Sequence, residues 1–508
     1  MPRSAGVAPL GALALLLLAR PALATTLQVG PGQTYTTPCA AIAAASAGDE
    51  IDVAAGTYHD SCNITAAGLH LKGVGGRPVI DLTNVPLANM KGIYAIEADD
   101  VIIENLELMG AQIPSSQGEN GAGLRIQASG VVVTNCYIHD NQNGILSAPL
   151  TAGTGTQTIE HTELSHNSLG SGCTDGNGCT HNAYIGNYAH LIFQFNDSHD
   201  AGPDSGHLLK SRALESDILY NRITGEMGND SYEIDLPNGG LGILIGNAVE
   251  KGPSSGNGGA MVQYGEEGLG TGTNALYLAN NTFVNDFAGS TTFVNVAAGG
   301  TLGAAHDNLF SGMGTPSSTG ALSPDNLSGV DLMFVNAAMY DYHLTAGSPA
   351  VGKGVAEGSA GGFPLSPVFE YVDPVSAVPR LTAKDLGAFE LGTNVENPSL
   401  DAGAESPDGA VSGGSSGGSG GGSGGASDGG SGGSSGGSGS GSGSAGGGSG
   451  SSGGSPADAG SDGGSSSSGS SGGCGCVAAG RVPGTPLSLG LGAALALLTA
   501  RARRRRGR

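Results

Sequence analysis

The stretch Val101-Ile-Ile-Glu-Asn-Leu-Glu-Leu108 decides the fold, because its pattern recurs along the chain. VVVTNCYI follows at 131–138, TIEHTEL at 158–164, LIFQFND at 191–197 and DILYNRIT at 217–224. ILIGNAVE at 243–250, YLANNTFV at 277–284 and AHDNLFS at 305–311 complete the series. Each unit is a β-branched or apolar run ending on a polar residue: Asn105, Asn135, His161, Asn196, Asn221, Asn247, Asn281 and Asn308. The gaps are 25–35 residues, a solenoid period, whereas a sandwich turns every ~8–12 residues. One coil has no means of burying its own apolar face. Coils stacked about 4.8 Å apart bury a continuous core and pair each strand with its neighbours. The Asn column then reads as a structural ladder of amides, with no function attached.

Outward from the repeat, residues 25–400 show few helix signals beyond an Ala-rich stretch from Cys39 to Ser46. The expectation is an all-β domain over 25–395. The start of the chain carries Arg3, an apolar run from Leu10 to Ala19 and then Ala22-Leu23-Ala24. That is the layout of a secretory signal peptide over 1–24, with a mature chain beginning at Thr25. At the other end, residues 396–473 form a Gly/Ser-rich linker that cannot bury enough apolar surface to fold. Cys474-Gly-Cys476, an apolar stretch from Val482 to Ala500 and six arginines close the chain over 474–508. The apolar stretch is about long enough to cross a bilayer, with the arginines on the cytoplasmic side.

Without the two arginines of the signal (Arg3, Arg20) and the six of the tail, the formal charge moves from −24 to −32. So acidic a chain is not expected to bind nucleic acid or anionic membranes through its overall field. An acidic ligand needs a local basic cluster or a metal bridge. In an oxidising compartment, order and proximity pair Cys39 with Cys62 and Cys173 with Cys179, leaving Cys136 for the interior.

Both ends of the repeat resemble the pectin-lyase-like superfamily of right-handed parallel β-helix proteins. PCAAIAAASAGDEIDVAAGTY at 38–58 is similar to its N-terminal cap helix and first strands. YDYHLTAGSPAVGKG at 340–354, followed by DLGAFELG at 385–392, is similar to its terminal coil. The tail resembles the myxobacterial C-terminal sorting signal. That implies an exported protein, anchored at the cell surface or released, with Cys474 or Cys476 as the point of processing or lipidation by the sorting machinery. The expected state is a monomer.

Unusual residues are densest between Cys173 and Glu267, in GCTHNAYIG, GHLLKSRA, SYEIDLPNGG and MVQYGEEG. Each segment lies some 10–15 residues before its ladder Asn, so they read as equivalent strands of successive coils. Residues 25–400 hold eleven Lys and Arg, and Lys210, Arg212 and Arg222 fall in one repeat. Lys210 and Arg212 share a strand face, and their mutual repulsion is expected to lower the Lys pKa toward that of a base. Glu233 and Asp235 share a face on the next strand.

The resemblance implies an extracellular acidic polysaccharide as partner and β-elimination as chemistry, with charge on the substrate carboxylate neutralised by a cation. Lyases on this fold use a Lys or Arg base, so Lys210 is expected as base and Arg212 as carboxylate neutraliser. Tyr184 or Tyr264 is then the proton donor, and His207 joins if the strand starts after it. His181, Asn182, Glu233, Asp235, Tyr264 and Glu266 are the expected substrate contacts. No cofactor is required by the pattern. Ca²⁺ is the candidate metal, at Glu233 and Asp235 or among the loop residues Asp175, Asn177, Asp197, Asp200 and Asp204. His161 and His166, with four residues between them, have one half of a zinc spacing, but no Cys pair accompanies them at the right spacing. A hydrolase or epimerase on the same fold, a non-catalytic adhesin or glycan-binding protein, and a plain ion-pair ladder between coils remain the alternatives.

Overall fold

In the computed structural model, which describes residues 24–169, 180–203, 206–320, 322–382 and 384–393, the repeat becomes a right-handed parallel β-helix. Among the described residues, three parallel sheets run its length. Sheet I has eleven strands from Thr26–Val29 to Thr301–His306. Sheet II has ten, from Cys62–Ile64 to Gly314–Ser317, and sheet III eleven, from Thr57–Tyr58 to Leu327–Ser328. The chain visits them in the order I, III, II, so each strand pairs with its equivalents one coil before and after. Ile102–Glu104, Glu107–Met109 and Ala122–Ile126 make one such coil. Its inward side chains Ile103, Leu108, Leu124 and Ile126 are fully buried.

The corner between sheets I and III explains the repeat and corrects its alignment. Glu104 pairs with Thr134, Thr134 with Glu160 and Glu160 with Gln194. Asn105, Asn135 and His161 therefore line up with Phe195, Tyr220, Gly246, Asn280 and Asp307, one position before the later asparagines. All eight have positive φ, from 51° at His161 to 65° at Gly246. The residue that follows turns inward and is fully buried: Leu106, Cys136, Thr162, Asn196, Asn221, Asn247, Asn281, Asn308. Asn suits both places, since its short amide tolerates the left-handed region and also stacks well inside. Residue type alone therefore hid the one-residue offset. Cys136 is buried with its thiol free, and burial raises its pKa to about 11.

The two ends are closed differently. A helix over Pro38–Ala44, opened by its proline, buries Pro38, Ala41 and Ile42 against the first coil. The Cys39–Cys62 disulfide joins it to the first strand of sheet II. At the far end, among the described residues, the expected terminal coil does not stack on the three sheets. Phe334–Asn336 pairs antiparallel with Asp341–Leu344, and Phe369–Val372 with Ser376–Pro379. These residues run back along the outside of the solenoid. Val368 donates to Tyr220 Oη at 3.0 Å, and Gly387 to the Asp307 carbonyl at 2.8 Å. Phe369 meets the rings of Phe195 and Tyr220 edge-on. The outward corner side chains thus gain an apolar cover. No helix among the described residues is long and apolar enough to cross a membrane. The expected tail helix, Cys474 and Cys476 lie outside the described residues.

Candidate functional site

Ala183–Ile185, Leu209–Ser211, Ile234–Leu236 and Ala260–Tyr264 are successive neighbours in sheet II, as the repeat predicts. Tyr184 pairs with Lys210, Lys210 with Asp235, and Asp235 with Gln263. These four form an outward column that Asn295 continues. The alternate residues Ile185, Leu209, Ile234, Leu236 and Val262 fill the core and fix which side faces out.

Lys210 and Arg212 hold the centre of this face. Lys210 Nζ lies 2.9 Å from Asp235 Oδ2 and 3.0 Å from Glu267 Oε1. Arg212 Nη2 lies 2.6 Å from Glu267 Oε2. Its Nε donates to Tyr184 Oη at 2.7 Å and its Nη1 to Asn238 Oδ1 at 2.6 Å. Every guanidinium nitrogen is therefore directed. Burial alone lowers the Lys210 pKa, but the carboxylates of Asp235 and Glu267 outweigh it and raise the value. The expected lowering does not result, because Asp235, and after it Glu267 between the two cations, hold the ammonium form.

The carboxylates respond in turn. Burial pushes Asp235 up to about 6 against the pull of Lys210, and its Oδ1 has no hydrogen-bond partner among the described residues. Burial also acts to raise Glu267, yet Lys210 and Arg212 hold it below the usual carboxylate range. His207 joins the cluster, since the strand starts after it. Its Nδ1 accepts the Tyr232 backbone N–H at 3.2 Å, and His181 Nδ1 accepts the His207 N–H at 2.9 Å. Each neutral ring then carries its proton on Nε2, and His207 Nε2 faces Asp235 Oδ2 at 3.4 Å. The rings stack with centroids 4.8 Å apart. Burial, with Lys210 and Arg212 nearby, keeps both well below the ordinary histidine range.

Four expected contacts lie elsewhere. Glu233 is completely buried and pairs with Lys251 at 2.9 Å inside the solenoid, so it shares no face with Asp235. Tyr264 points inward beside Leu236 and donates to the Gly240 carbonyl at 2.5 Å. The one-residue alternation puts Gln263, not Tyr264, on the outer face. Asn182 precedes its strand at the corner, where it is buried and accepts from Asn167 Nδ2 at 3.2 Å. Glu266 is exposed and accepts from Tyr232 Oη at 3.0 Å, apart from the cations. Asn238 and Gln263 were missed as site residues. Gln263 was within reach of strict two-residue alternation from Asp235, whereas Asn238 depends on the turn after Pro237.

The face does not suit Ca²⁺: both of its central carboxylates are taken up by cations, and Glu233 is inside. Asp197 pairs with Arg222 at 3.0 Å, and Asp200 with His199 at 2.9 Å. Cys173, Cys179, Asp175, Asn177 and Asp204 lie outside the described residues. Among the described residues, two groups bring His and carboxylate atoms within 4.8 Å, His190 with Glu215 and Asp217, and His199 with Asp200 and Glu226. In the first, His190 already pairs with Asp217, and in the second His199 pairs with Asp200 and Glu226 with Arg222. A cavity of about 770 Å³ lies away from sheet II, between sheet III and the returning segment. Its charges are largely self-paired around Arg222.

No family model and no curated protein matches the chain. Among solved structures, pectate lyase Pel9A is similar at 12% identity over 72% of this chain and 96% of that one, with a TM-score of 0.47. A pectin methylesterase from Aspergillus niger is similar at 14% over 61% and 92%, with a TM-score of 0.32. The PL6-family alginate lyase AlyGC is similar at 11% over 73% and 57%, with a TM-score of 0.29. These likenesses concern the parallel β-helix fold alone, which the three parallel sheets carry independently.

Proposed function

We propose that this chain is an exported, surface-tethered β-helix protein that binds a uronate-containing polysaccharide along sheet II and cleaves it by β-elimination. The observation that carries this reading is the Lys210–Arg212 pair. Two cations are held on an open sheet face of a chain with formal charge −24, spaced so that one carboxylate bridges them. Arg212 neutralises the substrate carboxylate as charge builds there. Lys210, once deprotonated, removes the proton α to that carboxylate. The bond from the β-carbon to the glycosidic oxygen breaks, and Tyr184 gives its phenolic proton to the leaving oxygen. The product carries a carbon–carbon double bond conjugated to the carboxylate. Because Asp235 and Glu267 hold Lys210 protonated at rest, turnover belongs to the alkaline range.

That same ion pairing favours a second reading, a non-catalytic glycan-binding protein in which Lys210 stays charged. The two separate on one experiment. The chain is incubated with a panel of uronate polymers while unsaturated products are followed by ultraviolet absorbance. Product formation lost in Lys210→Ala and kept in Lys353→Ala, an exposed residue, supports the lyase. Silence across the panel with glycan-array binding intact supports the binding protein.

The ends fit the same reading. Residues 1–24 direct export, 396–473 act as a leash, and 474–508 engage the sorting machinery through Cys474 or Cys476. Intact mass of the surface fraction checks this: a chain starting at Thr25 and cut or lipidated at the cysteine motif is expected.

A further inference from the structure

Glu267 reaches the site from a turn, while its partners stand on or beside strands. Its two carboxylate oxygens divide between the cations, Oε1 at 3.0 Å from Lys210 Nζ and Oε2 at 2.6 Å from Arg212 Nη2. We propose that Glu267 is the resting occupant of a carboxylate subsite, and that a ligand carboxylate binds by taking its place. The proposal rests on the reading of sheet II as a uronate-binding face. It adds the residue that sets the face's demand for charge.

Three features of the geometry support it. First, the cations are aligned without Glu267. Asp235 holds Lys210 at 2.9 Å, and Tyr184 and Asn238 hold Arg212 at 2.7 and 2.6 Å. The pair therefore stays in position when Glu267 leaves. Second, Glu267 covers the solvent side: its side chain is 45% exposed, against 10% for Lys210 and 23% for Arg212. Third, only the side chain has to move. The turn's backbone is tied down where Glu267 N donates to the Pro237 carbonyl at 2.9 Å, and Gly270 N to the Asn238 carbonyl at 2.8 Å.

The neighbouring acid, Glu266, is turned to another partner, accepting from Tyr232 Oη at 3.0 Å. A neutral sugar offers nothing in exchange for the two ion pairs, so it leaves Glu267 in place and does not enter this subsite. A uronate unit restores both pairs and adds its own contacts with the sheet.

Calorimetry of the full chain with trisaccharides of galacturonate, mannuronate and glucuronate, each beside its uncharged methyl ester, tests this. Glu267→Gln should bind an acidic trisaccharide at least about threefold more tightly than the unsubstituted chain, the size expected for a part-exposed ion pair. The esters should show no gain, and Glu266→Gln should bind like the unsubstituted chain. Equal or weaker binding by Glu267→Gln, an equal gain for the esters, or no binding by any of these proteins overturns the proposal. Nitrogen NMR of Lys210 Nζ gives a second readout: in Glu267→Gln the amine should titrate at lower pH, and an unchanged titration contradicts the proposal. The underlying reading fails separately. Tighter binding without unsaturated product retires the lyase and keeps the subsite, while product without the gain does the reverse.

Discussion

Two polar columns run along this solenoid, and they obey different rules. Inside, Asn196, Asn221, Asn247, Asn281, Asn308 and Asn326 repeat one residue, each Nδ2 donating to the next Oδ1 at 2.8–3.2 Å. Outside on sheet II, Tyr184, Lys210, Asp235, Gln263 and Asn295 change chemistry at every coil. The inner column has no choice, because an unpaired amide there has no water to turn to. Lys210, Asp235 and Gln263 in the outer column are buried too. Each meets a different partner, however, so stacking imposes no single residue type there and the convergent charges are not required by the repeat. Uniformity marks scaffold here, and variation marks the site.

The inner column should be the costlier to disturb. Asn247→Leu takes the Oδ1 acceptor from the Asn221 backbone N–H and from one Asn221 amide hydrogen, and the donor from the Ile218 carbonyl, all in the core. At about 1–3 kcal/mol per orphaned group, urea unfolding should show a loss of roughly 4 kcal/mol or more. Lys251→Met should come next, at about 3–5 kcal/mol, because it leaves the buried Glu233 without its cation. Burial already raises the Glu233 pKa, with Lys251 acting to lower it. With Lys251 gone, the folded value lies further above the unfolded one. The variant should therefore be more stable in acid and lose that advantage as pH rises through the folded Glu233 pKa.

The outer column should respond in activity. Lys210→Ala is expected to cost about 10²–10⁴ in the rate of unsaturated product formation. Below its plateau the unsubstituted rate should climb about tenfold per pH unit, levelling only above the ordinary lysine range, since the Lys210 pKa is raised. A rate already flat at neutral pH would exclude Lys210 as base. Tyr232→Phe, which removes an exposed bond to Glu266, should change stability by under about 1 kcal/mol. Oligosaccharide affinity, read by calorimetry, should not move.

The fold was legible because stacking imposes a period, and apolar runs before a polar residue display it in the letters. Where one residue type serves two neighbouring positions, the letters blurred, and Asn105 and Asn135 were placed one step off. At the site, two-residue alternation correctly put Lys210 and Arg212 on one face. It failed for Glu233 and Asn182, which sit before their strands start, where corner geometry sets direction. It was misapplied to Tyr264, whose strand neighbour Gln263 faces outward. The ion-pair ladder left open as an alternative does place Asp235 beside Lys210, whereas the Glu267 bridge was illegible, because Glu267 arrives from a turn 57 residues later in the chain.

The central claim is that ligand lies along sheet II. A crystal structure of the chain with a uronate trisaccharide tests it most directly. The account predicts a sugar carboxylate between Lys210 Nζ and Arg212 Nη2, Glu267 swung away, and the flanking sugars over Tyr184 and Gln263. A trisaccharide bound instead in the cavity between sheet III and Tyr340, Tyr342 and Tyr371, with the Lys210–Glu267–Arg212 bridge intact, would contradict it.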